Sequence, residues 1–288
     1  IAWGESNAVA FANSVLGART IQYPDLLDVC AAITGRVPAV GLHLTANRVG
    51  EVLLKLVDIP ENLQCDDLFS PVLGHLLGTI AGDRVPVVDG ITVEPTEDQF
   101  KAICAGGASS GAVNLFHIVG QTPEAPTRDE AFQGRAPSDV HHVNLRDLGR
   151  IRSELDSSQG EALDMVVLGS PHFSIAEFRK LAPMLEGEEC HTDVDFLVTS
   201  SRAMVKLARE SGLLNTLQAF GGKVTVDTCI LTTPMLFPET RRLMTNSAKY
   251  AYYSPGLLDA EVAFGSMADC VRSAITGRVR TDNSLWES

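Results

Sequence analysis

No run of eighteen or more apolar residues occurs in the sequence, so no transmembrane helix and no membrane partner are expected. Cysteine pairs are missing too. Cys30, Cys65, Cys104, Cys190, Cys229 and Cys270 are widely spaced, without a CxxC or CxxxC. That excludes the disulfide framework of a small secreted domain and points to a reducing, cytoplasmic setting. Aromatic residues are scarce, 6% against a hydrophobic content of 45%, so the core has to be filled with Ala, Val, Leu and Ile, as in α/β proteins. Positive charge is short as well. The formal net charge of -13 repels nucleic-acid phosphates and anionic lipid. A site for an acidic substrate would need a local basic pocket against that background. Neither Gly106-Gly107 nor Gly221-Gly222 forms a GxGxxG, so no dinucleotide site is expected. The chain begins at Ile1, and IAWGESNAVAFANS has no signal-peptide pattern, so we expect an internal start.

What is present is an alternation of strand and helix patterns. Glu5–Ala18 and Pro24–Ile33 read as helices, the second with Pro24 in its first turn and Gly35 as its stop. Leu68, Phe69, Val72, Leu73, Leu76, Leu77 and Ile80 recur at helical spacing. Arg84–Val88 reads as a strand, Glu97–Cys104 as a helix before the small-residue stretch Ala105–Ala112, and Val113–Val119 as a strand. Gly120–Val143, rich in Pro, Gly, Asp and Thr, reads as a long loop or connection. Strands then follow at Asp164–Leu168, Val194–Val198, Lys223–Val226, Arg242–Met244 and Glu261–Phe264, with helices at Ile175–Leu185, Arg202–Ser211 and Met267–Ile275. Such alternation predicts mostly parallel sheets covered by helices. The expected division is a first region over 1–125, a connection over 126–160 and a second α/β region over 161–288.

In open α/β sheets ligands sit beyond the carboxyl ends of the strands. Polar clusters fall at that position: Gly169-Ser170-Pro171-His172, Thr199-Ser200-Ser201-Arg202, Asp227-Thr228-Cys229 and Thr245-Asn246-Ser247 with Lys249. His117, followed by Thr122-Pro123-Glu124, ends the strand of the first half. Each cluster alone could be helix capping. Together they describe a polar site lined by hydroxyls, a thiol, an Arg, a Lys and two His.

The segments GESNAVAFANSVLGART (4–20), LGHLLGTIAGDRVPVVDG (73–90), LFHIVGQTPEA (115–125), LGSPHFSIAEF (168–178), VTSSR (198–202), GGKVTVDTC (221–229) and TNSAKYAYYSPG (245–256) resemble aconitase X, a divergent branch of the aconitase superfamily. The resemblance implies aconitase-like α/β/α domains and a small swivelling domain, fused or separate, that completes the site. It implies iron, as a single ion or an iron-sulfur cluster, held on cysteines. It also implies a hydro-lyase acting on a small hydroxy acid: cis-3-hydroxy-L-proline, giving Δ1-pyrroline-2-carboxylate, or in the archaeal branch mevalonate 5-phosphate. A different class of reading is a non-catalytic fragment or subunit that binds a small acid or a partner. The sequence departs from the family in two places. The family's TCTPY-like cysteine motif would lie before Ile1, and GSPHFS stands where many archaeal members have GCPHCS, so Ser170 and Phe173 remove two possible thiolates.

Cys229, in its DTC motif at a strand end, is therefore the expected iron ligand. Cys190, next to His191, is a weaker second candidate, while Cys30 and Cys270 read as core and Cys65 and Cys104 as structural. Arg202 suits a substrate carboxylate because its planar fork donates in a bidentate fashion. Lys249 could hold the same carboxylate or a hydroxyl, with Ser200, Ser201, Thr245, Asn246 and Ser247 as further substrate contacts. Ser6, Asn7, His117 and His172 are the candidates for the catalytic set, although both histidines could equally be packed in the core. Glu124 could orient one of them. The resemblance places the general base, a serine, in the small domain.

Overall fold

The computed structural model describes residues 1–4, 6–233 and 240–286. The chain divides into two compact units, Ile1–Gly149 and Arg150 onward. The first holds α1 (Ser6–Ser14), α2 (Leu27–Thr34), β1 (Val52–Leu56), α3 (Glu61–Gln64), α4 (Phe69–Ala81), β2 (Pro86–Asp89), α5 (Glu97–Ser110), β3 (His117–Ile118), α6 (Arg128–Ala131) and β4 (Asp139–Val143). Helix α7 (Leu145–Glu154) runs across the division. The second unit holds β5 (Met165–Phe173), α8 (Ile175–Leu185), β6 (Asp195–Ser200), α9 (Arg202–Glu210), α10 (Leu213–Phe220), β7 (Lys223–Val226), β8 (Arg242–Thr245), α11 (Ala248–Leu258), β9 (Glu261–Phe264) and α12 (Met267–Thr276). None of the helices among the described residues is long and apolar enough to cross a membrane.

Both sheets are parallel throughout. Their strand orders are β3-β2-β1-β4 and β7-β6-β5-β8-β9. Each sheet therefore winds outward for three strands and returns to the other side of its first strand. The point of reversal, between β1 and β4 or between β5 and β8, is where an open α/β sheet leaves a crevice beyond its strand ends. The expected parallel α/β architecture is thus what the chain adopts.

The second sheet shows why Met165-Val-Val-Leu168 is apolar without a break. Successive strand residues point to opposite faces, and here both faces are covered. Val166, Leu168, Phe196 and Val198 pack with α8, α9, α10 and α12 on one side, and Met165, Val167, Leu197 and Leu243 pack with Tyr250 of α11 on the other. Each fully buried side chain of this kind contributes roughly 1.5–3 kcal/mol. Helix starts follow their caps: Ser174 and Ser266 form reciprocal capping boxes with Glu177 and Asp269.

Several expectations change. Helix α5 continues through Ala105–Ser110, because the glycines there let it lie against α4. A Cβ on Gly74 would stand 2.4 Å from the Ile103 carbonyl oxygen, and one on Gly106 2.7 Å from the His75 nitrogen. The strand expected over Val113–Val119 shortens to β3, and Gly120–Val143, expected as a loop, contains α6 and β4. β4 pairs with β1 over its whole length, so the segment expected as a connection over 126–160 supplies a strand of the first sheet. β1, α7, α10 and α11 are additional elements. Helix α2 begins at Leu27 rather than Pro24, and Cys30 on it is exposed rather than core, since only Ala31 of that helix is buried. Cys65 is exposed, whereas Cys104 and Cys270 are buried. The expected helix start at Glu5 lies outside the described residues.

Candidate functional site

In the second unit the turns after β5, β6, β7 and β8 bring together most of the polar clusters. Gly169 makes this possible. Its φ is +99°, and a Cβ there would meet the Thr199 carbonyl oxygen at 2.0 Å, so only glycine lets β5 run this close to β6. Thr199 Oγ1 donates to the Gly169 carbonyl (2.6 Å) and lies 3.2 Å from the Tyr250 hydroxyl. That hydroxyl also hydrogen-bonds Cys229, whose thiol is half-buried just beyond β7. Burial, then the neighbouring Cys229, push the Tyr250 hydroxyl well above its ordinary range.

His172 places Nε2 2.9 Å from the Thr228 carbonyl oxygen, and the Thr228 hydroxyl is 2.6 Å from that of Thr233. Asp227 accepts from the backbone N–H of Arg202 (2.9 Å) and from its Nε (2.9 Å). The backbone bond first, and then the guanidinium, hold the Asp227 carboxyl below its ordinary value. His172, Arg202, Cys229 and the Thr228 turn thus form one cluster at the carboxyl edge of the sheet.

The hydroxyls expected to contact substrate are committed to the fold. Ser200 is fully buried and donates to the Phe173 carbonyl (2.6 Å). Ser201 caps α9 by accepting from the Met204 N–H, and Ser247 caps α11 through the Tyr250 N–H while donating to the Ser170 carbonyl. Thr245 is buried and accepts from the Ser247 N–H (3.2 Å). Each of these four hydroxyls thus has a place in the local hydrogen bonding of its turn, which is what a helix cap or a buried hydroxyl requires. Asn246, in the β8–α11 turn, and Lys249, in the first turn of α11, are half-buried. Cys190 sits apart from this cluster, against Val194 and Ala274, with its thiol pushed up to about 11 by burial.

In the first unit the resemblance motif around α1 is mostly a set of pins. Asn13 donates to the Thr20 and Asn114 carbonyls and accepts from Thr20 N–H, and Ser14 Oγ accepts from Phe116 N–H. Arg48 is completely buried. Its Nε lies 2.9 and 2.8 Å from the two Glu124 oxygens, and its amino groups reach Asn13 Oδ1 and the Asn13, Leu42 and Ala18 carbonyls. All its donors are used, which is the condition for burying a guanidinium. Glu124 therefore anchors Arg48, and its charge also acts on the nearby His117. His117 is buried with Nε2 2.8 Å from the Arg48 carbonyl, and burial lowers its basicity, so it stays neutral at neutral pH. Its Nδ1 is buried without a hydrogen-bond partner among the described residues. Asn7 is half-buried and, with Trp3, Ala8, Phe11, Lys101 and Cys104, lines an apolar pocket of about 200 Å3. Ser6 opens α1, and its side chain lies outside the described residues.

Removing the Glu124 charge should be costly, because it strands the buried Arg48. We expect Glu124→Gln to destabilise the fold by roughly 2 kcal/mol or more, less than the full penalty because the carbonyl partners remain. Denaturant titration checks this, and an unchanged midpoint would show the pair to be dispensable.

Among the described residues no three His, Cys, Asp or Glu side chains converge where a metal ion could be held. Cys229 has the chemistry of one ligand: a half-buried thiol beside a hydroxyl donor at a strand end. The described residues fit one metal ligand and not a complete site.

Family models for the first, second and third domains of aconitase X match residues 1–46, 50–153 and 163–276. A cis-3-hydroxy-L-proline dehydratase of Pseudomonas aeruginosa is 45% identical over 100% of this chain and 50% of its own length. One from Hypocrea jecorina is 43% identical over 96% of this chain and 47% of its own. A phosphomevalonate dehydratase large subunit of Methanosarcina mazei is 33% identical over 97% of this chain and 66% of its own. The crystal structure of Thermococcus kodakaraensis aconitase X in its holo-form superposes with a TM-score of 0.82 at 28% identity, covering 94% of this chain and 67% of that one. The chain spans about half the length of the two hydroxyproline dehydratases.

Proposed function

Because the chain belongs to the aconitase X family, we propose that it forms the larger part of a hydro-lyase that dehydrates cis-3-hydroxy-L-proline to Δ1-pyrroline-2-carboxylate. The observation that carries this is the 45% identity over the whole chain to a dehydratase of that substrate, against 33% to the phosphomevalonate enzyme. The strand-end cluster supports it, since it combines a thiol, an imidazole and an open guanidinium on one edge of a sheet.

Arg202 binds the substrate carboxylate and takes up the negative charge that grows on it as the neighbouring carbon loses its proton. Lys249 adds a second cation on the same edge. Cys229 contributes one thiolate to an iron site, as a single ion or an iron-sulfur cluster, whose other ligands lie outside the described residues. When bound, the metal supplies Lewis acidity for a hydroxyl that is otherwise a poor leaving group. His172, through its bond to the Thr228 carbonyl, stiffens the turn that carries Cys229. The small swivelling domain, fused or as a separate subunit, closes the site and brings the serine base. The absence of paired cysteines among the described residues supports a reducing, cytoplasmic setting.

The complete protein, prepared anaerobically with iron, tests this reading. Loss of one water from cis-3-hydroxy-L-proline, followed by mass spectrometry, is the expected result. A protein that carries iron and leaves that compound intact would refute it.

A further inference from the structure

The last residue before the Thr228-Cys229 turn is in an unusual position. Asp227 has φ +54°, the left-handed region that, after Gly, mainly Asn and Asp adopt because their short side chains can hydrogen-bond locally. Its own N–H still donates to the Ser200 carbonyl (3.0 Å), continuing the β6–β7 ladder one step past Val226. Left-handed backbone at that point turns the carboxylate back toward the start of α9. There it takes two donors of one residue. Oδ1 accepts from the Arg202 backbone N–H, one of the amides that a helix start leaves without a partner, and Oδ2 accepts from Arg202 Nε.

Folding stability does not explain the arrangement. The Arg202 side chain is 82% exposed. An ion pair that open adds little to folding, and the left-handed backbone costs about as much as the pair returns. What the arrangement does is immobilise an arginine that would otherwise sample many rotamers. It does so through Nε alone. Both terminal amino groups of Arg202 are left without a protein partner among the described residues, in contrast to Arg48, whose donors are all consumed. The two Arg202 amino groups are a matched pair of parallel donors, the fork that a planar carboxylate accepts in a bidentate fashion.

We propose that Asp227 is a positioning residue: it fixes the plane and direction of the Arg202 guanidinium so that its open fork is presented, already oriented, to the carboxylate of the substrate. The inference rests on the reading of Arg202 as the carboxylate receptor. Holding the fork in place before binding removes the rotamer entropy that a loose arginine loses on capture, so the effect belongs in substrate affinity.

Asp227→Asn is the informative variant. Asn tolerates the same left-handed backbone and still accepts from the Arg202 N–H, but it can turn an amide N–H toward Nε in place of an acceptor. In the complete enzyme, with iron content and thermal midpoint unchanged, we expect kcat/KM to fall by about threefold, the most that so exposed a pair can contribute to orientation, carried by KM with little change in kcat. In an Arg202→Ala background the same substitution should have no effect, since there is nothing left to position. An Asp227→Asn enzyme with unaltered KM, one that has lost its iron, or a loss that adds in full to that of Arg202→Ala would overturn the proposal. If the wild-type enzyme does not dehydrate cis-3-hydroxy-L-proline, the substrate reading fails separately, and the crystal structure of Asp227→Asn decides this one. A guanidinium that leaves its place supports positioning by Asp227, and one that stays put contradicts it.

Discussion

Cys229→Ala in the complete protein is expected to lose most of its bound iron, the visible absorbance that goes with it, and dehydratase activity by three orders of magnitude or more, on the order of what removal of a metal Lewis acid costs. The expectation follows from the small number of donors in reach. Among the described residues no three His, Cys, Asp or Glu side chains converge to take over its place. A metal site that loses one of few ligands loses chelation as well as one bond. The fold itself should hardly notice. The thiol is only half-buried, and its contacts are Tyr250 and the partly buried edge of an apolar cluster. Metal analysis and a thermal melt on the same anaerobic sample separate the two effects. Full iron content in a folded Cys229→Ala protein would remove Cys229 from the site.

Arg202→Lys should lower kcat/KM by roughly two orders of magnitude, although the charge is retained, because an ammonium cannot reproduce a bidentate fork. Here Lys also loses the Nε donor that Asp227 grips, so the replacement is both a weaker and a looser receptor. The loss should appear in kcat as well as KM, since charge on the carboxylate is larger in the transition state than in the ground state. Melting behaviour should be unaffected, given the exposure of the side chain. An Arg202→Lys enzyme with normal efficiency would leave Arg202 as a surface residue of α9.

The parts of the fold that could be read from the sequence are those governed by local chemistry. Helix α8 and strands β7 and β9 occupy the expected residues because a Ser cap with Glu177, the Gly221-Gly222 stop and short apolar runs mark them. β4 could not be read, since DVHHV is mostly exposed and becomes a strand only by pairing with β1. Helix α11 is hidden by Pro255, and the end of α5 by glycines whose purpose is the close approach of α4. These are tertiary effects that override local propensity.

The candidate site divides in the same way. The expected strand-end placement of His172, Arg202 and Cys229 matches where they lie, because the winding of a parallel sheet puts such residues on one edge. Ser200, Ser201, Thr245 and Ser247 lie in the same turns, each hydrogen-bonded to the local backbone. Sequence does not distinguish a hydroxyl that caps from one that binds. Asp227 stood in one of the expected polar clusters but without its pairing to Arg202, and neither Tyr250 beside Cys229 nor the buried Arg48 of the first unit was expected. Nothing in LTANRVG marks a buried arginine, and the partner of Tyr250 and that of Asp227 each come from a distant segment. A left-handed Asp directly after a strand is a signal that only the backbone reveals.

The most direct test of the proposed activity is the ratio of kcat/KM for cis-3-hydroxy-L-proline to that for mevalonate 5-phosphate, measured on one anaerobic preparation of the complete enzyme. The account predicts a ratio of at least about a hundredfold in favour of the hydroxyproline, the size of discrimination that unpaired polar groups in a mismatched site impose. A preference for the phosphorylated acid would contradict it.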